Sequence, residues 1–217
     1  MPTPDHQHDH AQDHSQHDHS QHDHSQQRGP LADASVRLAR VSDAPAVGIV
    51  QSVVWREAYA EVVPAEAVES FEPQAFGNAW RRSLGDPPPG VHRLLVACAG
   101  DQVVGFAAIG PSQDPDTSPE TGELTALGVH PNARRAGHGS RLLNAAVDTL
   151  RGAGATAMSI WVLATDEGTR AFLTRSGLAP DSAFRDRVVS PDGDTAREVR
   201  LMASLVEEEP PPPVPQS

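Results

Sequence analysis

The glycine-rich stretch RRAGHGSRLL, residues 134–143, limits which folds this chain can adopt. Before it comes GELTALGVHP, an alternating apolar run that is typical of a strand and is stopped by Pro131. After it comes a helical pattern with one apolar face, formed by Leu142, Leu143, Ala146, Val147 and Leu150. We therefore predict a strand ending at Val129, a tight turn, and a helix that opens at Gly137 and ends at Gly152 or Gly154.

The predicted turn leaves the backbone N–H groups of residues 135–140 without intrahelical partners. Such a helix start suits a phosphate or pyrophosphate, because the amides point at the anion and the helix dipole favours its charge. Glycine lets the backbone come close where a Cβ would collide. The chain has no GxxxxGK[ST], and Gly137-His138-Gly139 lacks the third glycine of GxGxxG. The remaining pattern is R-x-x-G-x-G, from Arg134 to Gly139.

The other periodicities predict a mixture of strands and helices. Strands are predicted at Val36–Val41, on both sides of Gly100-Asp101, over AMSIWVL, and in a last hairpin around SPDGD. Helices are predicted after a Ser42 or Asp43 cap, over Pro73–Leu84, and over DEGTRAFLTRSG. The predicted order is helices first, then a run of antiparallel strands, then a strand, a helix and further strands. This order indicates an α+β sheet domain.

Charge is concentrated near the two ends of the chain. Residues 1–35 hold six Asp against one Arg, and residues 207–209 are all Glu, so most of the formal net charge of -12 lies outside the middle. This argues for a domain over 36–206, a His/Asp-rich disordered tail over 1–35 and an acidic, proline-rich tail over 207–217. No basic patch suits nucleic acid, and all 17 positive residues are arginine.

The N-terminal tail repeats HDHSQ approximately and holds eight of the 11 histidines. Imidazoles that alternate with carboxylates can bind Zn, Ni or Cu weakly. The alternative is a solvating tail whose histidines bind nothing specific. The candidate metal ligands are His6, His8, His10, His14, His17, His19, His22 and His24.

Cys98 is the single cysteine and lies in a strand-like run, which favours core packing. The sequence shows neither a signal-peptide pattern nor an apolar run long enough to cross a bilayer, so we expect a cytoplasmic protein that does not enter a membrane. A homodimer is left open.

The R-x-x-G-x-G pattern matches the acyl-CoA signature of the GNAT N-acetyltransferases. The resemblance runs from about Val36 to Val206 and includes VRLARVSDAPAV, VVWREAYAEVVP, LGVHP and FLTRSGLAPD. It implies the GNAT acyl-CoA N-acyltransferase fold, with a mixed, mostly antiparallel central sheet flanked by helices. It also implies acetyl-CoA as the co-substrate.

The resemblance assigns the cofactor-binding residues. It implies that Leu127, Gly128 and Val129 offer backbone to the pantetheine arm. The pyrophosphate site would comprise Arg134, Arg135, Ala136, Gly137, His138, Gly139 and Ser140, with Asp166 where the family often has Asn. Alternatively, Arg134 and Arg135 are an ordinary solvated pair, and we expect His138 at a solvent-facing helix position.

Acetyl transfer from a thioester to an amine needs a base, an oxyanion partner and a proton for the thiolate. Glu123 stands six residues before Val129, and strand alternation predicts that it shares a face with Thr125, Leu127 and Val129. In the histone-acetyltransferase branch the catalytic glutamate has this same offset, so Glu123 is the candidate base. The alternative is that it merely begins a strand. A backbone amide between Leu127 and Val129 would serve the oxyanion.

The family's frequent proton-donating tyrosine is replaced by Leu173. Trp55 and Tyr59, one helical turn apart, are candidates to line the acceptor pocket, or they are simply core. Three functions follow. The first is transfer of acetyl from acetyl-CoA to a primary amine of a small molecule or a peptide N-terminus. The second is a non-catalytic acyl-CoA sensor, and the third is a metal-handling protein that uses the tail.

Overall fold

The computed structural model describes residues 34–190 and 192–206. The predicted tails lie outside the described residues, apart from Ala34 and Ser35, which already belong to the first strand. The strands are β1 Ala34–Leu38, β2 Arg93–Ala99, β3 Gln102–Pro111, β4 Thr121–Val129, β5 Ala157–Leu163, β6 Ala179–Val188 and β7 Thr195–Ser204. The α-helices are α1 Ala44–Tyr59, α2 Ala65–Glu69, α3 Pro73–Gly85, α4 His138–Gly152 and α5 Glu167–Arg175.

The strands form one sheet in the order β1-β2-β3-β4-β5-β7-β6. Neighbouring strands are antiparallel except β4 and β5, which are parallel and pair only over Thr121–Glu123 and Ala157–Ser159. Glu123 and Ser159 are the last pair. Beyond them β4 and β5 separate, which opens a gap in the middle of the sheet. The predicted α+β class with a mixed, mostly antiparallel sheet is confirmed.

Helices cover both faces of the sheet. On one face, Val47 and Val50 of α1 pack against β2 and β3, and a Cβ on Gly48 would collide with the backbone of Pro73 and Gly77 in α3. On the other face, the predicted apolar stripe of α4 is buried against the sheet together with Leu173 of α5. The helical spacing of apolar residues thus determines which side of each helix meets the sheet. In the part of the chain that the structure describes, no helix is long and apolar enough to cross a membrane.

Several boundaries differ from the predictions. The strand predicted at Val36–Val41 is Ala34–Leu38, and Val41–Asp43 form a 3-10 turn. Asp43 does precede α1, but its carboxylate does not cap that helix. It accepts hydrogen bonds from the Arg37 guanidinium at 2.6 and 2.9 Å instead. The short helix α2 was not predicted, because five residues are too few to show a helical period.

A β-bulge in β4 changes which side chains share a face. Ile109 of β3 pairs with Leu124, whereas Ala108 pairs with Ala126, so the intervening Thr125 has no residue opposite it in the ladder with β3. The bulge shifts the alternation by one residue. Leu124, Leu127 and Val129 therefore all contact the core beneath α4, and Glu123 lies on the opposite face. The prediction that Glu123 shares a face with Leu127 and Val129 is wrong for this reason.

Candidate active site

The loop between β4 and α4 contains two residues in the left-handed region. Arg135 has a φ of 65° and Gly137 a φ of 82°, and α4 begins directly afterwards at His138. Positive φ is costly for arginine and easy for glycine, which explains why glycine stands at the junction with the helix. This backbone turns the amides of the loop toward solvent at the helix start.

Six successive amides at this turn have no intramolecular acceptor. In the described chain, no backbone or side-chain acceptor is paired with the N–H groups of Arg135 to Ser140, and the first helical bond joins the N–H of Arg141 to the carbonyl of Gly137. Loop residues 134–137 are exposed. Free amides and the positive end of a 15-residue helix together form an anion-binding concavity.

The Arg134 side chain points away from these amides. Its Nη1 and Nη2 donate to the two carboxylate oxygens of Glu57 on α1, both at 2.7 Å, and its Nε donates to the carbonyl of Val129 at 3.2 Å. The guanidinium therefore joins the end of β4 to α1. It is an ion-paired residue rather than the ordinary solvated arginine of the alternative interpretation.

His138 is buried, with 5% of its surface exposed, so the expected solvent-facing position is wrong. The reason is its spacing: it stands four residues before Leu142 and so lies on the core face of α4. Burial, followed by the charge of Arg141, lowers the pKa of the imidazole and favours its neutral form. Its Nδ1 has no hydrogen-bond partner among residues 34–190 and 192–206.

Asp166 and Leu173 both have structural roles in α5. The carboxylate of Asp166 accepts a hydrogen bond from the amide of Thr169 at 2.9 Å and so caps the helix. Leu173 is fully buried in the core. Position 173 therefore offers no proton donor. A cofactor contact for Asp166 remains a prediction.

The residues predicted to accompany the pantetheine lie beside the gap in the sheet. Leu127, Gly128 and Val129 come after the last β4-β5 pair, so within the described chain their β5-facing edge has no ladder partner. Gly128 packs tightly against Phe106, where a Cβ would come within 2.8 Å of the ring. An extended ligand could hydrogen-bond to this free edge and reach the loop amides.

Glu123 stands where the two strands separate, and it is half-buried. Burial raises the pKa of its carboxyl, and the nearby Asp114 raises it further. Arg185 and the amide of Gln113 lower the pKa in part, and Glu198 raises it. A carboxylate with a raised pKa is a better proton acceptor near neutral pH.

The same face of the sheet carries a group of charged residues that the sequence analysis missed. Glu198 of β7 is 4% exposed and accepts a hydrogen bond from the Nε of Arg185 at 2.6 Å. The Nη1 of Arg187 lies 3.6 Å from the other carboxylate oxygen of Glu198. Arg185 also stacks on Trp161, 4.3 Å from the ring centroid. Buried charges of this kind lie in alternating runs such as FRDRV and REVR, which look like ordinary exposed strands in the sequence.

Trp55 and Tyr59 belong to an aromatic cluster at the end of α1. Their ring centroids are 5.7 Å apart, and Phe71 and Phe76 lie 5.8 and 5.1 Å from Trp55. Burial raises the pKa of Tyr59, as does Glu198, whereas Arg187 and Arg185 lower it. The charges of Glu198, Arg187 and Arg185 thus act on the phenol at the end of α1.

Arg200 of β7 connects the loop after β3 to the face of the sheet that carries Glu123. Its guanidinium binds Asp116 through two hydrogen bonds of 2.7 Å, and it also contacts Asp114 at 3.1 Å and Asp181 at 2.8 Å. The indole N–H of Trp161 donates to Asp114 at 3.0 Å. These contacts hold residues 114–116 beside Glu123. Among the described residues, no group of three or more His, Cys, Asp or Glu could hold a metal ion, and the eight tail histidines lie outside them.

Comparison with known proteins agrees with this architecture. The sequence model of the acetyltransferase (GNAT) family matches residues 53–178, which is more than half of the chain. The uncharacterized N-acetyltransferase YuaI of Bacillus subtilis (strain 168) is 29% identical over 130 residues, covering 59% of this chain and 71% of its own.

Two solved structures show the same fold. PaiA N-acetyltransferase from Thermoplasma acidophilum, in complex with coenzyme A, superposes with a TM-score of 0.59 at 18% identity over 79% of this chain and 98% of its own. YncA from Salmonella typhimurium, with its cofactor acetyl-CoA, has a TM-score of 0.57 at 19% identity and covers 82% of this chain and 97% of its own. At these identities the likeness establishes the fold alone.

A split sheet beside a helix start with free amides can hold an extended ligand that carries an anionic group. The chain belongs to the acetyltransferase (GNAT) family and is an N-acetyltransferase.

Proposed function

We propose that the protein transfers acetyl from acetyl-CoA to a primary amine of a small molecule or a peptide N-terminus, with Glu123 as the general base. The observation that carries this proposal is the position of Glu123 at the point where β4 and β5 separate. There, one half-buried carboxylate lies beside the gap between the strands, on the face of the sheet that also carries Glu198 and Arg185.

The proposed reaction uses few groups of the chain. Glu123, directly or through a water, takes a proton from the ammonium of the acceptor, and the free amine attacks the thioester carbonyl. The C–N bond forms and the C–S bond breaks. A backbone amide of Leu127 to Val129 stabilises the oxyanion. Because Leu173 is buried and cannot donate, we assign protonation of the thiolate to a water molecule, which in turn takes the second proton from the nitrogen of the tetrahedral intermediate.

The test is titration of acetyl-CoA into the full chain, followed by thiol release with a panel of amines and peptides. Binding together with release that depends on an amine supports the transferase. Binding without release on any amine would instead favour an acyl-CoA sensor, the function that the loss of a tyrosine at position 173 suggests. Absence of binding would overturn both.

Replacement of Glu123 tests the assignment of the base. The Glu123→Gln variant should bind acetyl-CoA as the wild type does and lose about 100-fold or more in kcat, since positioned acid-base groups contribute about 10²–10⁴-fold. An unchanged rate would remove Glu123 as the base.

A second function is supported by the alternation of histidine and aspartate in residues 5–27. We infer weak binding of Zn, Ni or Cu there, since imidazole suits these ions. Calorimetric titration of NiCl₂ into the full chain and into a variant with the eight tail histidines changed to Gln tests it. Equal heats in the two proteins would contradict metal binding by the tail.

A further inference from the structure

Two arginines on the face that carries Glu123 have no part in the transfer step. Glu123 pairs with Ser159 of β5, and Trp161 lies two residues further along on the same side. The Arg185 guanidinium stacks on the indole of Trp161, and Arg185 itself pairs with Glu198 of β7. The strand register therefore places Arg185 and Arg187 on the same face of the sheet as Glu123, the proposed base.

Glu198 supports both arginines from within the protein. Its buried carboxylate accepts a hydrogen bond from the Nε of Arg185 and lies 3.6 Å from the Nη1 of Arg187. The arginine side chains themselves are 41% and 52% exposed. In the described chain, the terminal nitrogens of Arg185 and the side-chain nitrogens of Arg187 have no hydrogen-bond partner. Their donors therefore remain available to a ligand.

Positive and negative charge are separated on this face. Two guanidinium groups face the single carboxylate of Glu198, which leaves one positive charge in excess. Glu123 has no ion-pair partner among the described residues, and three carboxylates share Arg200. The arginines of β6 therefore carry one positive charge in excess, on the same face as the carboxylate of Glu123. A ligand with one ammonium and one anionic group matches this arrangement.

We propose that Arg185 and Arg187 bind a carboxylate of the acceptor, which is therefore a small amino acid or a related amine that carries a carboxylate. This inference rests on the acetyl transfer proposed above, with the acceptor amine at Glu123. Guanidinium groups suit the role because their planar donors match a carboxylate and their charge is permanent.

The test compares amino acids with their methyl esters as acceptors for the full chain, measured by thiol release. Matched pairs are phenylalanine, methionine and glutamine, each with its ester. For at least one pair we expect kcat/KM to be about 10-fold or more higher with the free acid, since hydrogen bonds between charged groups are the strong ones. In Arg187→Gln the ratio of kcat/KM for the free acid to kcat/KM for the ester should fall about 10-fold from its wild-type value, whereas in Arg175→Gln the ratio should stay at the wild-type value.

Arg187 is the better probe, because removal of Arg185 would leave the buried Glu198 without its hydrogen bond. The control is Arg175→Gln, which changes an exposed arginine of α5. Equal use of acid and ester, or a preference that persists in Arg187→Gln, would overturn the inference and leave acetyl transfer standing. Absence of thiol release with every amine would overturn acetyl transfer itself, and with it the inference.

Discussion

Glu57 on α1 and Arg134 in the loop after β4 form a bidentate ion pair, with both N–O distances at 2.7 Å. The same guanidinium donates from Nε to the carbonyl of Val129. One side chain thus joins the helix that carries Trp55 and Tyr59 to the loop whose amides are free. Because Glu57 is 51% exposed, the pair contributes little to the stability of the fold, and its effect should be on the position of the loop.

We therefore expect Glu57→Gln to raise the KM for acetyl-CoA about three- to tenfold, with kcat changed less, since the loop loses its connection to α1. Steady-state kinetics at fixed acceptor concentration measure this. Glu61→Gln is the matched control, because Glu61 is an exposed carboxylate near the end of the same helix and has no ion-pair partner among the described residues. Equal KM values in the two variants would contradict a positioning role.

The loop glycines provide a prediction that separates folding from binding. A Cβ on Gly139 would meet nothing closer than the Phe172 ring at 3.5 Å, and its φ is not positive, so Gly139→Ala should fold normally. Its methyl group would add bulk at the start of α4, beside the amides proposed to bind the pyrophosphate. We expect acetyl-CoA affinity to fall about 10-fold or more, measured by titration calorimetry, with an unchanged melting temperature.

Gly152→Ala, at the other end of α4, is the control for this substitution. A Cβ there meets nothing within 4 Å, so both folding and affinity should be unchanged. If Gly139→Ala binds acetyl-CoA as tightly as Gly152→Ala does, the pyrophosphate does not contact the start of α4.

The local features of this chain were predictable from sequence, and the features that depend on neighbouring strands were not. The strand, turn and helix around Gly137 follow from apolar periodicity and from glycine's positive φ, both of which act within a few residues. The bulge at Thr125 depends on the register with β3, so the face of Glu123 was predicted wrongly. Glu198 is buried beside Arg185 on a neighbouring strand, a pairing that no local pattern reveals.

The raised pKa of Glu123 predicts a pH dependence for the reaction. A general base must be deprotonated, so kcat/KM should fall as the pH drops through the pKa of Glu123 in the free enzyme. Because burial raises that pKa, the acid limb should lie above the ordinary range of a glutamate. A pH-rate profile measures this, and Arg175→Gln, which changes an exposed arginine of α5, serves as the control that keeps the limb. A profile without an acid limb above the ordinary glutamate range would contradict the assignment.

The raised pKa of Glu123 also predicts whether this carboxyl group stabilises or destabilises the fold at a given pH. A carboxyl group whose pKa is raised in the folded state contributes stability below its unfolded pKa, and that contribution is lost as the pH rises through the folded pKa. At neutral pH the ionised Glu123 is therefore a cost to the fold. Glu123→Gln should melt at an equal or higher temperature than the wild type at pH 7, although it loses activity. A clearly lower melting temperature would show that the ionised carboxylate stabilises the fold.

Arg200 and Arg197 lie on opposite faces of β7 and allow a matched comparison of a buried and an exposed guanidinium. The Arg200 side chain is 7% exposed and binds three carboxylates, whereas Arg197 is 57% exposed and pairs with Asp186 alone. Arg200→Met leaves Asp114 unpaired and largely buried, which should lower the free energy of unfolding by about 3–5 kcal/mol. Urea unfolding measures the difference. Arg197→Met should leave the midpoint close to that of the wild type, so equal midpoints in the two variants would show that Arg200 does not hold the loop after β3 in place.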